Sequence, residues 1–176
     1  MTNFVLYGRG GHGVETAARI LGNALFASGQ QVQDFVISGM ELRGFPVSGY
    51  VKAEKTAILS KDTPKADFLL IFDLTLPYDR LLKECNEKAM VIFNSKDHIK
   101  NPFLKKQSLK TYFVNANEIS YNYLRTVMPN TAMLGALTKL YNKITMKSLK
   151  NSIQQLSMQH ENLQAFEHGF RSVKRN

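Results

Sequence analysis

Cysteine is nearly absent from this sequence, since Cys85 is the only one among 176 residues. A single thiol excludes an internal disulfide, and it excludes a metal or iron–sulfur site built from several cysteines of this chain. Long apolar runs are also missing, so no membrane-spanning segment is predicted. The first residues lack the basic-then-apolar layout of a secretion signal. We therefore expect a cytoplasmic protein.

Acidic residues are few beside the basic ones: 14 Asp and Glu face 23 Lys and Arg, which gives a formal charge of +9. Such a balance can indicate nucleic acid, phosphorylated ligands or acidic protein partners. The basic residues are spread along the chain, and no recognisable nucleic-acid module accompanies them. Lys139, Lys143, Lys147 and Lys150 recur at the spacing of a solvated helix face. We therefore predict no binding to nucleic acid or membranes.

The length fits a single domain, residues 1–176, that can bury a substantial core. Apolar runs alternate with segments of helical periodicity along most of the chain. The most apolar run, residues 68–72, is typical of a central strand buried on both faces. Two strands at about 48–53 and 56–59 would form a hairpin that interrupts the alternation. The sequence therefore predicts an α/β fold with three layers, α/β/α, around a mostly parallel, mixed sheet.

The first strand leads into a glycine-rich stretch, Gly8-Arg9-Gly10-Gly11-His12-Gly13, and a helical pattern begins at Val14. Glycines permit positive φ and let a ligand approach the backbone. Exposed N–H groups and the helix dipole at such a junction favour an anion. Any tight turn between a strand and a helix can also use glycines, so ligand contact and turn geometry both remain open for this stretch.

The same stretch satisfies the spacing G-x-G-x-x-G through Gly8, Gly10 and Gly13, which is the dinucleotide fingerprint. Asp34 lies near the position expected for a ribose-binding acid, about 20 residues past the glycines. It sits inside the second predicted strand, however, and not at the strand's end. This placement weakens the interpretation as an NAD site.

A second loop, residues 38–46, contains two glycines, a proline, and the pair Glu41 and Arg43, followed by Gly44. The planar guanidinium of Arg43 could clamp a phosphate or carboxylate. The alternative is a surface ion pair with Glu41, worth about 0–1 kcal/mol. Because both loops follow strands near the start of the chain, we expect them to lie side by side at one edge of the sheet.

Two further residues receive structural interpretations. Asp73 closes the most apolar strand, and we expect it to cap the next helix and not to act as a catalytic acid. That helix is predicted over about 79–87 and contains Cys85, for which a packed, unreactive thiol is expected. The sequence assigns no catalytic residue and no metal site.

Taken together, these stretches resemble the gamma subunit, or gamma domain, of 2-oxoacid:ferredoxin (acceptor) oxidoreductases. The glycine stretch and Val14 are close to that family's Gly-Arg-Gly-Gly-Gln-Gly-Val, with His12 in place of Gln. The loop after the second strand has Leu42-Arg43 where paired arginines are frequent, and Glu15 replaces a small or apolar residue. Further matching stretches follow in the family's order: the strand ending at Asp73, Asn94-Ser95, and the segments that begin at Asn130 and Asn162.

The resemblance implies a Rossmann-like fold similar to the gamma domain of pyruvate:ferredoxin oxidoreductase (pyruvate synthase). It also implies a non-autonomous subunit of an enzyme that converts a 2-oxoacid to acyl-CoA and passes electrons to ferredoxin. The substrate would be pyruvate, 2-oxoglutarate, 2-ketoisovalerate or indolepyruvate. Such complexes use thiamine diphosphate, iron–sulfur clusters and coenzyme A, and we expect none of these to be bound by this chain alone, because one cysteine cannot ligate a cluster.

The expected partners are the thiamine-binding and iron–sulfur subunits, with coenzyme A near the subunit interface and ferredoxin reached through the complex. Candidate contacts to a ligand or partner are Gly8, Arg9, Gly10, Gly11, His12, Gly13, Glu41, Arg43 and Gly44. Two alternatives stay open: a stand-alone NAD(P)-dependent oxidoreductase, supported by the glycines and Asp34, and a binding module for a phosphorylated ligand or nucleic acid, supported by charge and glycines.

Overall fold

The computed structural model describes residues 1–39, 44–60, 62–106 and 108–176. Its strands are β1 (Thr2–Arg9), β2 (Gln31–Ser38), β3 (Pro46–Glu54), β4 (Ala66–Ile71), β5 (Cys85–Asn94), β6 (Lys110–Val114) and β7 (Lys174–Arg175). Its helices are α1 (Val14–Ala27), α2 (Asp79–Lys83), α3 (Pro102–Lys106), α4 (Ala116–Leu124), α5 (Asn130–Leu140), α6 (Met146–Ile153) and α7 (Gln159–Ser172). Within the described ranges, no helix combines the length and apolar character needed to cross a bilayer.

All of these strands join one mixed sheet in the order β2-β3-β1-β4-β5-β6-β7. The centre is parallel, because β1, β4, β5 and β6 pair in the same direction. β3 runs antiparallel to both β1 and β2, and β7 runs antiparallel to β6. After β1 the chain continues into β2 and β3, which lie beyond one edge of β1 in the strand order. After β4 it continues into β5 and β6, which lie in the opposite direction. The carboxyl ends of β1 and β4 therefore flank a topological switch point, the usual place for ligands in such sheets.

The core lies on both faces of the sheet, which confirms the predicted three layers. One cluster joins alternate strand residues such as Leu6 and Leu70 to α1 and to helices α4–α7. The other joins the intervening residues, such as Tyr7 and Ile71, to the short helices α2 and α3. Residues 69–71 are fully buried, so the continuous apolar run is a central strand, as predicted.

Helices α5 and α7 make the closest helix contact in this core. A Cβ added to Gly135 would lie 2.0 Å from the carbonyl oxygen of Phe166, and one added to Gly169 would lie 2.0 Å from that of Ala132. Only glycine allows the two backbones to approach this closely. The glycines therefore set the distance between the helices that cover the central strands.

The predicted hairpin between 48–53 and 56–59 is wrong. β3 pairs with β1 on one side and with β2 on the other, so neither of its edges is free for a strand at 56–59. The segment after β3 is instead held by the buried ammonium of Lys52, which donates to the Ser60 carbonyl oxygen at 3.1 Å and to Asp62 Oδ1 at 3.0 Å. The antiparallel pairings of β3 are thus with β1 and β2, and not with a strand at 56–59.

Two local predictions also need correction. The helix predicted over 79–87 is only α2, and Cys85 begins β5, because its backbone pairs with Ala66 of the neighbouring strand. Sheet pairing here overrides the local helical pattern. The basic residues at 139–150 do not share one helix face, since Lys139 belongs to α5, Lys143 lies between helices, and Lys147 belongs to α6.

Candidate functional site

The glycine-rich stretch forms the turn that leads from β1 into α1. Gly11 and Gly13 have φ of 98° and 72°, a region that side chains with a Cβ rarely adopt. Gly13 is the residue before the helix, and its carbonyl oxygen accepts the first helical hydrogen bond, from the Ala17 N–H at 2.9 Å. No side chain caps this end of α1. Backbone conformation therefore explains why glycine occurs at positions 11 and 13, two of the four glycines in the stretch.

Close packing explains Gly8, and it adds to the requirement at Gly13. A Cβ at Gly8 would lie 2.8 Å from Phe72 Cβ, and one at Gly13 would lie 2.5 Å from Asn130 Nδ2. Among the residues that the structure describes, none lies within 4 Å of a Cβ added at Gly11. The turn thus packs β1 against the end of β4 and the start of α5 through Gly8 and Gly13.

The second loop lies beside this turn, as predicted, in the part that the structure describes. The N–H of Gly10 donates to the Phe45 carbonyl oxygen at 2.9 Å, and the N–H of Gly44 donates to the Gly10 carbonyl oxygen at 3.0 Å. The proximity arises because β3 pairs antiparallel with β1, which places Pro46 opposite Arg9. The predicted contacts of Glu41 and Arg43 lie outside the described residues.

Arg9 joins the turn, the loop and the end of β4. Its Nε donates to Asp73 Oδ2 at 2.7 Å, its Nη1 to the Gly44 carbonyl oxygen at 2.7 Å, and its Nη2 to Thr75 Oγ1 at 2.8 Å. The side chain of Arg9 is 34% exposed and that of Asp73 is 12% exposed. The guanidinium is therefore occupied by partners within the chain, and its charge is matched by a carboxylate.

Asp73 belongs to this network and does not cap a helix, so that prediction is wrong. Its Oδ1 accepts from the N–H and the hydroxyl of Thr75, at 2.8 and 2.6 Å, and α2 begins only at Asp79. Burial raises the pKa of the Asp73 carboxyl, but the Thr75 hydrogen bonds and Arg9 outweigh it, so the pKa lies below its usual value. Asp73 is therefore ionised at neutral pH.

His12 lies in the turn, close enough to Asp73 and Arg9 to respond to their charges. Burial lowers its pKa, Asp73 raises it, and Arg9 lowers it, with a net decrease. The imidazole is therefore neutral at pH 7. Its Nδ1 is shielded from solvent and has no hydrogen-bond partner among the residues described. Buried polar atoms are nearly always paired in folded proteins, so this nitrogen is an exception within the described part of the chain.

Sequence reasoning missed the asparagines at the same edge. Asn94 Nδ2, at the end of β5, donates to the Phe72 carbonyl oxygen at 2.8 Å and to Asn117 Oδ1 at 2.7 Å. The N–H of Asn117 donates back to Asn94 Oδ1 at 3.2 Å. These bonds tie the ends of β4 and β5 to the start of α4. The only signal in the sequence is an asparagine at the end of one apolar strand, Asn94, and another, Asn117, three residues after the next strand.

The structure separates Asp34 from the glycine turn, which contradicts the dinucleotide interpretation. Asp34 lies in mid-strand, opposite Val51, and Val51 is opposite Phe4 in β1. The carboxylate is thus two strands away from β1 and about 13 Å along the strands from Gly8. Its Oδ1 lies beside Gly22 of α1. A ribose held at the glycine turn is out of its reach.

Cys85 is a packed thiol, as predicted. Burial, followed by the nearby charges of Asp67 and Glu84, raises its pKa to about 12. Its Sγ donates to the Leu81 carbonyl oxygen at 3.3 Å. At neutral pH the sulfur is a thiol and not a thiolate, so it is a poor nucleophile and a poor metal ligand. Among the described residues, no group of three or more His, Cys, Asp or Glu could hold a metal ion.

This chain is similar to a known protein family and to individual members of it. Residues 3–172 match the family model described as pyruvate ferredoxin/flavodoxin oxidoreductase. Pyruvate synthase subunit PorC of Methanocaldococcus jannaschii is 32% identical over 156 residues, which cover 87% of this chain and 84% of the relative. The common gamma subunit of the pyruvate/ketoisovalerate oxidoreductases of Pyrococcus furiosus is 32% identical over 153 residues, 84% of this chain and 82% of the relative.

Among solved structures, the pyruvate oxidoreductase subunit PORC of Thermotoga maritima has the same fold. It superposes with a TM-score of 0.86 at 22% identity, covering 99% of this chain and 98% of that chain. The match extends over nearly the whole length of both chains. It confirms the α/β architecture predicted from the sequence.

Proposed function

The chain belongs to the pyruvate ferredoxin/flavodoxin oxidoreductase family, and on that premise we propose that it is the gamma-type subunit of a multi-subunit 2-oxoacid:ferredoxin oxidoreductase. The observation that carries the proposal is the family match over residues 3–172, together with relatives that are themselves PorC or gamma subunits. The assembled enzyme decarboxylates a 2-oxoacid oxidatively to acyl-CoA and transfers the electrons to ferredoxin.

Thiamine diphosphate and iron–sulfur clusters supply the decarboxylation and electron-transfer chemistry when they are bound. We assign both to partner subunits. The only cysteine of this chain is protonated and buried against Leu81, and a cluster needs several thiolates. The role of this chain is therefore to complete the assembly beside the centre that holds the cofactors.

We assign the contact with a partner subunit to the surface formed by Gly10, Gly11, His12, Gly13, Gly44 and Phe45, called here the turn surface. It offers the backbone at Gly11, where no described residue lies within 4 Å of an added Cβ, the half-buried imidazole of His12, and the side chain of Phe45, which is 40% exposed. Apolar rings surrounded by backbone polar groups are typical of protein interfaces. Arg9 donates to the Gly44 carbonyl oxygen and so holds this residue of the turn surface in place.

The described residues of the turn surface fit a protein partner better than the phosphates of coenzyme A. The charge of Arg9 is already matched by Asp73. Glu15 adds a carboxylate in the first turn of α1, where an anion would otherwise be favoured. We therefore propose that coenzyme A lies near the subunit interface and is held mainly by residues of the partner.

The first experiment tests the subunit assignment. The purified chain should show no reduction of a redox dye with pyruvate and coenzyme A, whereas co-expression with the thiamine-binding and iron–sulfur subunits should yield active enzyme. Omission of this chain from the co-expression should abolish that activity. Turnover by the isolated chain, or full activity without it, would contradict the proposal.

A second experiment tests the turn surface. Phe45→Asp should raise the Kd of the chain for its partner subunits at least about tenfold, which corresponds to about 1.4 kcal/mol. Its melting temperature should change little, because the ring is already partly exposed. The matched control is Leu59→Asp, since Leu59 is 90% exposed and lies in the segment after β3. Equal binding by both variants would show that the partner binds elsewhere.

A further inference from the structure

An open cleft of about 410 Å³ lies at the carboxyl end of β6, apart from the turn surface. Its lining includes the apolar residues Phe113 and Ile119, and it is bordered by the start of α4, the last turn of α7 and β7. Three strand spacings, about 14 Å, separate β6 from β1. The volume lies within the range of sites that hold small molecules.

Three cationic side chains from three different elements line this cleft. Lys96 follows β5, Arg171 ends α7, and Lys174 belongs to β7. Arg171 has only a long ion pair, 3.8 Å to Glu167. Lys96 and Lys174 form no ion pair within the described part of the chain. The folded chain therefore brings together three positive charges that are distant in the sequence and leaves them largely uncompensated.

One carboxylate, that of Glu118, also borders the cleft. It is engaged within α4's own cap, because it accepts a hydrogen bond from Asn115 Nδ2. Counting the three cations and this acid, the lining carries a net charge of +2. A dianion or a larger polyanion complements that charge, whereas a cation would be repelled.

The imidazole of His168 supplies a further unsatisfied group. His168 borders the cleft and packs edge-on against Tyr123, with ring centroids 5.8 Å apart. Its Nδ1 is shielded from solvent and lacks a hydrogen-bond partner among the residues described. Because the ring borders the cleft, we expect a ligand bound there to change its surroundings.

We propose that this cleft binds a small polyanion of the diphosphate class. The forked guanidinium of Arg171 can contact two oxygens of one phosphate, and the two ammonium groups can contact the other. Phe113 and Ile119 of the lining are apolar neighbours for a group attached to the phosphates. The proposal is independent of the subunit assignment, because it concerns a different part of the surface and a ligand that the isolated chain can bind.

The test is calorimetric titration of the full chain with inorganic pyrophosphate at about 50 mM salt, where electrostatic contacts are weakly screened. We expect saturable binding at one site. The double variant Arg171→Gln/Lys174→Gln should raise the Kd at least tenfold. The control double variant Lys143→Gln/Lys147→Gln removes the same charge elsewhere and should leave the Kd unchanged. No saturation up to 1 mM, or equal weakening in both double variants, overturns the proposal.

Two further arms identify the contact and the source of the diphosphate. In NMR spectra of the imidazole nitrogens, pyrophosphate should shift His168 and leave His12 and His160 unmoved. His98 packs against Phe113 of the cleft lining, so its signal does not serve as a control. An equal shift of His12, His160 and His168 would overturn the site. Competition by ADP identifies a nucleotide as the natural ligand, and pyrophosphate binding that ADP does not displace identifies a free diphosphate.

Discussion

At the scale of single residues, Arg9 holds the turn, the loop and β4 together. Arg9→Ala would leave the Asp73 carboxylate, 12% exposed, with the Thr75 donors alone. We expect the free energy of unfolding to fall by about 1.5–3 kcal/mol, the range for hydrogen bonds to a charged group. The loss should stay below the value for a fully buried ion pair, because the Arg9 side chain is 34% exposed. Urea denaturation at pH 7 measures it.

The control for this prediction is Arg19→Ala. Arg19 also pairs with a carboxylate, that of Glu15 at 3.0 Å, but both side chains are about two-thirds exposed. Such surface pairs contribute little to stability. Equal losses for the two variants would mean that the Arg9 network is no more stabilising than an ordinary surface pair.

His12 should make stability depend on pH. Because burial lowers its pKa in the folded chain, the unfolded chain binds its proton first as the pH falls below about 6.5. The stability that neutral His12 provides is complete above that pH and is lost as the pH falls through the folded pKa. The difference in unfolding free energy between wild type and His12→Gln should therefore shrink between pH 7 and pH 5. A difference that stays constant over this range would contradict a lowered pKa.

At the scale of elements, the turn between β1 and α1 depends on its contact with α5. Alanine at Gly11 or Gly13 should cost about 1–2 kcal/mol through positive φ. At Gly13 the new Cβ also collides with Asn130, whereas at Gly11 it meets no described residue within 4 Å. In an Asn130→Ala background, Gly13→Ala should therefore become less costly, with a coupling of about 0.5–3 kcal/mol, and Gly11→Ala should not change. Absence of coupling at Gly13 would rule out the contact.

The contact between α5 and α7 gives a second prediction at this scale. Gly→Ala within a helix normally gains about 1 kcal/mol from helix propensity. At Gly135 the new Cβ would lie 2.0 Å from a backbone oxygen, so overpacking should reverse the sign and cost at least about 2 kcal/mol. The control is Gly39→Ala, whose Cβ would meet nothing within 4 Å. Thermal melts of the two variants should differ clearly, and similar melting temperatures would contradict the close approach.

At the scale of the whole molecule, the sheet contributes side chains to cores on both of its faces. Leu6 packs on one face and Tyr7 on the other, and β4 is shared in the same way. We therefore expect residues 1–176 to unfold as one domain. Far-UV circular dichroism and the fluorescence of the 7 tyrosines, undisturbed by tryptophan, should report coincident urea transitions. Two separated transitions would divide the chain into independent units.

The sequence by itself determined those features whose cause is local. The first strand, the glycine turn and α1 follow from an apolar run, residues that accept positive φ, and a 3.6-residue period. The run at 68–72 is typical of a strand buried on both faces. Asparagine is a common helix cap, and the side chain of Asn115, directly before α4, accepts from the Glu118 N–H. The order of short motifs along the chain indicated the family.

The tertiary structure alone decided what depends on partners that are distant in the chain. β3 lies between β1 and β2, Cys85 begins a strand, and Asp73 binds Arg9 instead of capping a helix. Hydrogen bonds between strands join backbone groups that every residue possesses, so the residue pattern indicates that a strand forms but not which strand it pairs with. The same pairing places Gly44 beside Gly10 and removes Asp34 from the glycine turn. The residues of the candidate site can therefore be identified in the sequence, but only the order of strands in the sheet brings them together.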